Sequence, residues 1–364
     1  MTLVAGELAM YATTAFDTSA CRADGWPLAD EPCALAWERY AHDAGERGAW
    51  PVLRDVFVQL RFPVAAGVSE TAAYRQAVRT GVLPDDDVDC VRLERPDALR
   101  VCLHPTLAGR VGVVAAGTRA DFETLMRALA RRNEPAPIPA AVNATMIAGY
   151  NDWCRVRGLR AQWAAGRGGD DPAAWAAAFS ALMPHKELYQ DRFILVGPGP
   201  YSGVPAMAME LDDATWSALS SCIRLEHECA HYVTRRAFGC MRDTLHDEVL
   251  ADYAGITAAA GCFRADWFLR FLGLEGYPAY RSGGRLEHYG RAQCLSPDAT
   301  SALQRLVVDA ATQVEAFDRL VGAERTLDRR AAALTAIASV PLMGIAAANG
   351  AAQLAEAFGR AMAA

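Results

Sequence analysis

Two histidines four residues apart enclose a glutamate in the run His227-Glu228-Cys229-Ala230-His231, and two carboxylates, Glu248 and Asp252, repeat the same spacing further on. On a helix at about 100° per residue, His227 and His231 lie about 40° apart on one face, so both imidazoles can close on one metal ion. Glu228 sits on the flank of that face, too displaced to be the natural third ligand yet near enough to hydrogen-bond a water in the metal's open position. The spacing therefore supplies two ligands and a base. A catalytic zinc ion takes three protein ligands and leaves its fourth position to water, so one more must come from elsewhere. Residues 232–247 read as the end of the first helix, a turn around Gly239, and a new helix capped near Asp243 or Thr244. On that second helix Glu248 and Asp252 share a face, so Glu248 can ligate while Asp252 orients a ligand imidazole.

The neighbouring polar residues are expected to face elsewhere. His246 lies about 160° around the helix from Glu248, and Asp247 about 100°, so an Asp247→Asn change is expected to matter much less than Asp252→Asn. Cys229 points away from both histidines and reads as a small buried hydrophobe.

The pattern HExxH followed on a second helix by ExxxD resembles the thermolysin-like gluzincins, a family of zinc metallopeptidases. Over residues 218–260 the resemblance implies zinc ligands His227, His231 and Glu248, a catalytic base at Glu228 and a partner for a ligand histidine at Asp252. The longer string from Leu225 to Ile256 also resembles an uncharacterised bacterial protein family.

Composition bounds the rest. A chain of 364 residues with 52% hydrophobic content can bury a sizeable core, as one large or two medium domains. A net charge of -7, a pI near 5.6 and basic residues no more clustered than Arg131-Arg132 argue against nucleic acid as a partner. Ten cysteines without a CxxC pair fit a reducing compartment, and Met1 to Cys21 lacks the basic start of a secretory signal, so a cytoplasmic protein is expected. Ala331 to Ala355 carries no charge, but it is alanine-rich and broken by Pro341, Gly344, Asn349 and Gly350. It reads as packed core helices, and no membrane partner is expected.

The elements around the motif follow from periodicity. Helices are expected around Pro32 to Ala49 and Ser69 to Thr80, while Val52 to Phe62 reads as strand or helix. Val91 to Glu94, Leu99 to Leu103 and Arg110 to Ala115 read as short strands, followed by an amphipathic helix from Asp121 with Phe122, Leu125, Met126 and Leu129 on its apolar stripe. The alternating prolines of Asn133 to Pro139 read as a linker, dividing a smaller N-terminal α+β domain of unknown role (1–138) from a zincin-like metal-binding domain (139–364) braced by C-terminal helices. Within the latter, helices are expected over Asn143 to Arg160 and Pro172 to Leu182, with Trp153, Trp163 and Trp175 anchoring the packing. Asp191 to Gly197 reads as a strand. Upstream of the HExxH helix, this order resembles zincins, whose edge strand lines the cleft and pairs with extended substrate; the alternative is an ordinary core strand. The fold class is α+β, predominantly helical.

These residues point to a zinc-dependent hydrolase of amide or peptide bonds, in which Glu228 takes a proton from water and passes it to the leaving group. An oxyanion donor is still required, and Tyr201, Arg242, His288 and Tyr289 are the candidates. The same motif serves a zinc enzyme acting on a small metabolite by elimination, cyclisation or deacylation, or a binding protein on a zincin scaffold. The partner is then a peptide or a small molecule, and the sequence sets no oligomeric state.

Overall fold

The computed structural model describes residues 2–19, 25–83, 90–167, 169–241, 244–291 and 295–363. Among these residues helices dominate and one four-stranded sheet accompanies them, an α+β and mostly helical fold. The chain forms two compact units. One comprises Met1–Leu28, Thr106–Ala108 and Gly199–Ala364, the other Ala29–Pro105 and Gly109–Pro198.

Helix α1 (Thr2–Glu7) opens the first unit. The second unit then runs α2 (Ala34–Arg47), α3 (Ala49–Val56), α4 (Ala72–Thr80), β1 (Arg100–Thr106), β2 (Gly109–Ala115), α5 (Arg119–Ala130), β3 (Ala144–Asn151), α6 (Trp153–Arg167), α7 (Pro172–Leu182) and β4 (Gln190–Val196). The strand order is β1-β2-β4-β3. β2 runs parallel to β4, with Gly112 opposite Phe193, and β3 runs antiparallel to it, with Ala144 opposite Val196 and an irregularity between Ala148 and Tyr150.

This pairing corrects the boundary expected at 138/139. β2 precedes the proline run and β3 follows it, yet both are hydrogen-bonded to β4, so one sheet spans the presumed linker. The run itself is strapped down. The Asn133 side-chain amide donates to the carbonyls of Gln59 and Phe62 at 3.0 and 3.1 Å, and the Glu134 carboxylate accepts from the backbone N–H groups of Gly67 and Ser69 at 2.9 and 3.0 Å. Prolines made the backbone extended without making it a hinge.

Two local expectations are also corrected. Residues 144–151 form a strand, and the helix expected from Asn143 begins only at Trp153, where Asp152 caps it by accepting from the Arg155 N–H at 2.9 Å. Thr145, Ile147 and Tyr150 suit a pleated surface, and β4 offers the partner that a helical reading ignored. Val91 to Glu94 is not a strand, because the N–H groups of Glu94 and Arg95 turn to the Asp121 carboxylate at 2.7 and 3.0 Å. Val52 to Phe62 resolves into the end of α3 and a 3-10 turn over Val58–Arg61.

The core of this unit gathers Trp37, Phe57, Phe122, Phe193 and Leu195, with the α5 stripe packed as the periodicity predicts. Gly112 is required there, since a Cβ would lie 2.2 Å from the Trp37 ring. Trp153 and Trp175 anchor a second cluster, with Trp163 against it.

The rest of the first unit is helical among its described residues: α8 (Asp213–Ala237), α9 (Leu245–Ala260), α10 (Ala265–Leu272), α11 (Leu286–Arg291), α12 (Pro297–Val321), α13 (Leu327–Ser339), α14 (Leu342–Ile345) and α15 (Gly350–Met362). The uncharged stretch becomes most of α13, the short α14 after Pro341 and the start of α15, with α13 and α15 packed on each other. Among the described residues no helix is long and apolar enough to cross a membrane. α13 also packs on α9, where the His246 ring donates from Nε2 to the Ile337 carbonyl at 2.8 Å, bracing the helix that carries Glu248.

Candidate metal centre

Helices α8 and α9 form the hairpin that the sequence predicts. α8 begins where the Asp212 carboxylate accepts from the Thr215 N–H at 2.8 Å, and it ends before Gly239, whose φ of 66° is left-handed. α9 begins at Thr244, whose hydroxyl accepts from the Asp247 N–H at 3.3 Å. The two helices approach closely at Gly255, where a Cβ would lie 2.6 Å from the Ile223 carbonyl oxygen. That approach brings the carboxylates of α9 up to the histidines of α8.

His227, His231 and Glu248 converge, all buried, with one ligand atom from each lying within 4.8 Å of the others. The Nε2 atoms of His227 and His231 are 3.1 Å apart, His227 Nε2 is 3.6 Å from Glu248 Oε2, and His231 Nε2 is 3.7 Å from Glu248 Oε1. Ligands about 2.0–2.1 Å from a tetrahedral ion stand about 3.3–3.4 Å apart, so the three donors have the separations of a metal site.

The far side of each ring explains why the Nε2 atoms face inward. His227 Nδ1 lies 2.9 Å from Asp252 Oδ1, and His231 Nδ1 lies 3.2 Å from Asp247 Oδ2. Asp252 accepts from His227 Nδ1 and so leaves that ring's lone pair on Nε2, while Asp247 stands beside His231 Nδ1 as a charge partner, without the geometry of a hydrogen bond. The two Nε2 atoms then meet at 3.1 Å, a separation that either a shared proton or a bound cation can bridge. Asp247 thus corrects the expectation that it faces elsewhere. Being about 100° from Glu248 around α9 aims it at the second histidine, and it is fully buried.

The charge count also favours a cation. Glu228, Asp247, Glu248 and Asp252 are all buried here, with the Arg285 guanidinium against Glu248 and Asp252. In the ion-free cluster, burial pushes the His231 imidazole down, but the carboxylates of Asp247, Glu248 and Glu228 outweigh it and raise the pKa to about 10. The side chains would sooner hold a proton than leave the centre uncompensated, and a divalent ion competes for the same place.

Asp252 is the hub of a second layer of contacts. Its Oδ1 accepts from the Tyr201 hydroxyl at 2.6 Å, and its Oδ2 accepts from Arg285 Nη2. Burial alone would raise its pKa, but Arg285 and the His227 hydrogen bond hold it down at about 2. Arg285 also donates to the Tyr201 oxygen at 3.0 Å, and its guanidinium carbon lies 5.2 Å from the centre of that ring. Tyr201 is set by α8 itself: Ser220 Oγ accepts from the Tyr201 N–H at 3.0 Å, Arg224 donates to the Gly199 carbonyl at 2.6 Å, and His227 Nδ1 lies 2.8 Å from the Tyr201 hydroxyl. Positions 220, 224 and 227 are one helical stripe, so a single face of α8 fixes both the loop and the ligand.

The other candidates separate cleanly. Tyr201, expected as a substrate or oxyanion contact, is buried and engaged with Asp252 and Arg285, so it positions His227 instead. The Tyr289 hydroxyl is hydrogen-bonded to Glu248, and its pKa is raised by burial and by that carboxylate. His288 is exposed on α11. Arg242 lies outside the described residues. Asp247, expected to face elsewhere, and Arg285, expected only as one polar residue of the run 273–290 from which a donor could come, are the members whose roles the sequence did not give. The four-residue step from His231 back to His227 is mirrored by the five-residue step from Asp252 back to Asp247, and that offset was the available signal.

The strand β4 is flanked by β2 on one side and β3 on the other, so it is a core strand and has no free edge for substrate. Residues 2–349 match the model of a family described as "Family of unknown function (DUF7005)". No curated protein and no solved structure matches the chain.

Proposed function

The chain belongs to that family of unknown function, DUF7005, and from the converging side chains themselves we propose that it is a zinc-dependent hydrolase of amide or peptide bonds. The observation that carries this reading is the meeting of His227, His231 and Glu248 beside the buried Glu228. Two imidazoles and one carboxylate suit zinc among the divalent ions and leave an open position. A bound zinc ion supplies Lewis acidity, polarising a carbonyl and lowering the pKa of water toward ~7.

The chain's own residues do the rest. Glu228 accepts the proton of the attacking water and returns it to the leaving group. Asp252 and Asp247 hold the two imidazoles with Nε2 inward, and Arg285 keeps Asp252 ionised for that task. Tyr289, whose hydroxyl meets Glu248 at the edge of the centre, is the candidate hydroxyl for donating to a developing oxyanion once it leaves that carboxylate.

One observation favours a compact substrate over an extended peptide. The His227, Glu228, His231 and Glu248 residues are only 6%, 9%, 7% and 7% exposed, and the unit that carries them is helical among its described residues. A small amide or acyl compound needs no free strand edge, whereas an extended peptide gains by pairing with one.

Metal analysis of the purified protein, followed by incubation with peptide and small-amide libraries, tests the reading. About one zinc per chain, with turnover abolished in Glu228→Gln, is the expected result. Cleavage of extended peptides would select peptidase chemistry, turnover of compact amides alone would select the small substrate, and zinc without any turnover would sink the hydrolase.

A further inference from the structure

The second compact unit carries a groove of about 580 Å³ that the metal centre does not use. One wall is Met146 to Asn151, six consecutive residues of β3. Side chains of a strand alternate between faces, so a cavity over one face would touch every second residue; an unbroken run means that the cavity lies along the backbone edge. β3 is the last strand of the sheet and is paired only with β4 among the described residues. The opposite wall is α4, which contributes Tyr74, Arg75, Val78 and Arg79 from one face, and the end of α5 adds Leu129 and then Arg132.

The groove therefore joins a strand edge, an apolar floor and three arginines, with no Asp or Glu in its lining. Arg75 is paired with Glu70, but Arg79 and Arg132 form no ion pair among the described residues. Glu134, close enough to feel the Arg132 charge, is committed to the N–H groups of Gly67 and Ser69. In a chain of net charge -7, an acid-free, arginine-lined edge selects an occupant of the opposite sign.

We propose that this groove binds an extended acidic peptide segment as a fifth strand beside β3, with its carboxylates on Arg79 and Arg132 and an apolar side chain against Val78 and Leu129. Main-chain hydrogen bonds to the β3 edge give affinity, and the arginines and the apolar floor give selectivity. The β3 irregularity at Gly149 limits regular pairing to the Ala144–Ala148 side of it.

Fluorescence anisotropy of the full chain with a labelled peptide of alternating apolar and acidic residues tests this. Binding is expected to weaken as salt rises, and to fall by about tenfold or more in the Arg79→Glu, Arg132→Glu double variant. The same peptide with lysine for its acids, or with N-methyl groups along one edge, is expected not to bind. Unchanged zinc content and melting temperature in the double variant would show that the fold and the metal centre are intact. Binding indifferent to N-methylation, or competed equally by a free dicarboxylate, would mean a small-anion pocket and overturn the proposal. So would peptide binding that appears only after Asp85, Asp86, Asp87 and Asp89 are changed to Asn, since the chain's own acidic run would then be the occupant.

Discussion

Glu228 and the two carboxylates behind the histidines carry different kinds of work, and substitutions that preserve shape separate them. Glu228→Gln keeps the volume and removes the proton acceptor, so zinc content is expected to stay near wild type while kcat falls by about 10²–10⁴. A rate within a few-fold of wild type would exclude Glu228 as the base. Asp252→Asn and Asp247→Asn act through the rings at 2.9 and 3.2 Å, so each is expected to lower zinc affinity by roughly 10 to 100-fold. Competition with a coloured chelator measures this. Asp252 is expected to show the larger loss, because its amide would also take from Arg285 the nearer of its two carboxylate partners. An Asp247→Asn protein with unaltered affinity would return that residue to a role in packing alone.

At the scale of elements, the helix hairpin depends on one close approach. A Cβ at Gly255 would sit 2.6 Å from the Ile223 carbonyl, a backbone atom that cannot swing aside, so Gly255→Ala must push α9 away from α8. The expected result is a loss of roughly 1–3 kcal/mol of stability together with weaker zinc binding, read from thermal melts and from metal competition. Stability and affinity both unchanged would mean that the helices meet elsewhere. The hairpin was legible in the sequence because its signals are local: two four-residue steps, a glycine after α8 and a threonine cap before α9. Gly255 was not, because nothing in its own neighbourhood says which helix will lie against it. The same distinction explains β3. Residues 144–151 alternate too weakly to exclude a helix, and only the presence of β4 decides the matter. Arg285 was visible only as one polar residue in a loop, since its partners, Tyr201, Glu248 and Asp252, are distant in sequence.

For the whole molecule, the metal centre ties folding to pH. Without metal, His231 has a pKa of about 10 in the folded chain against the ordinary 6.5. A raised folded-state value means that the protonated imidazole favours folding: the contribution is fully present below pH ~6.5 and is lost as pH rises through about 10. Zinc takes the place of that proton, so its affinity is expected to rise with pH over the same window, with at least one proton released on binding. The chelator-treated protein should therefore melt at progressively lower temperature from pH 6.5 toward 10, whereas the zinc-loaded protein should hold its melting temperature more nearly level. Free zinc at 100 times its Kd adds about 2.7 kcal/mol at any one pH, a gain of several degrees for a chain of this size. Differential scanning calorimetry across that range, with and without zinc, reads the gap directly. A gap that does not widen as pH rises would mean that His231 is not the group that exchanges its proton for the metal.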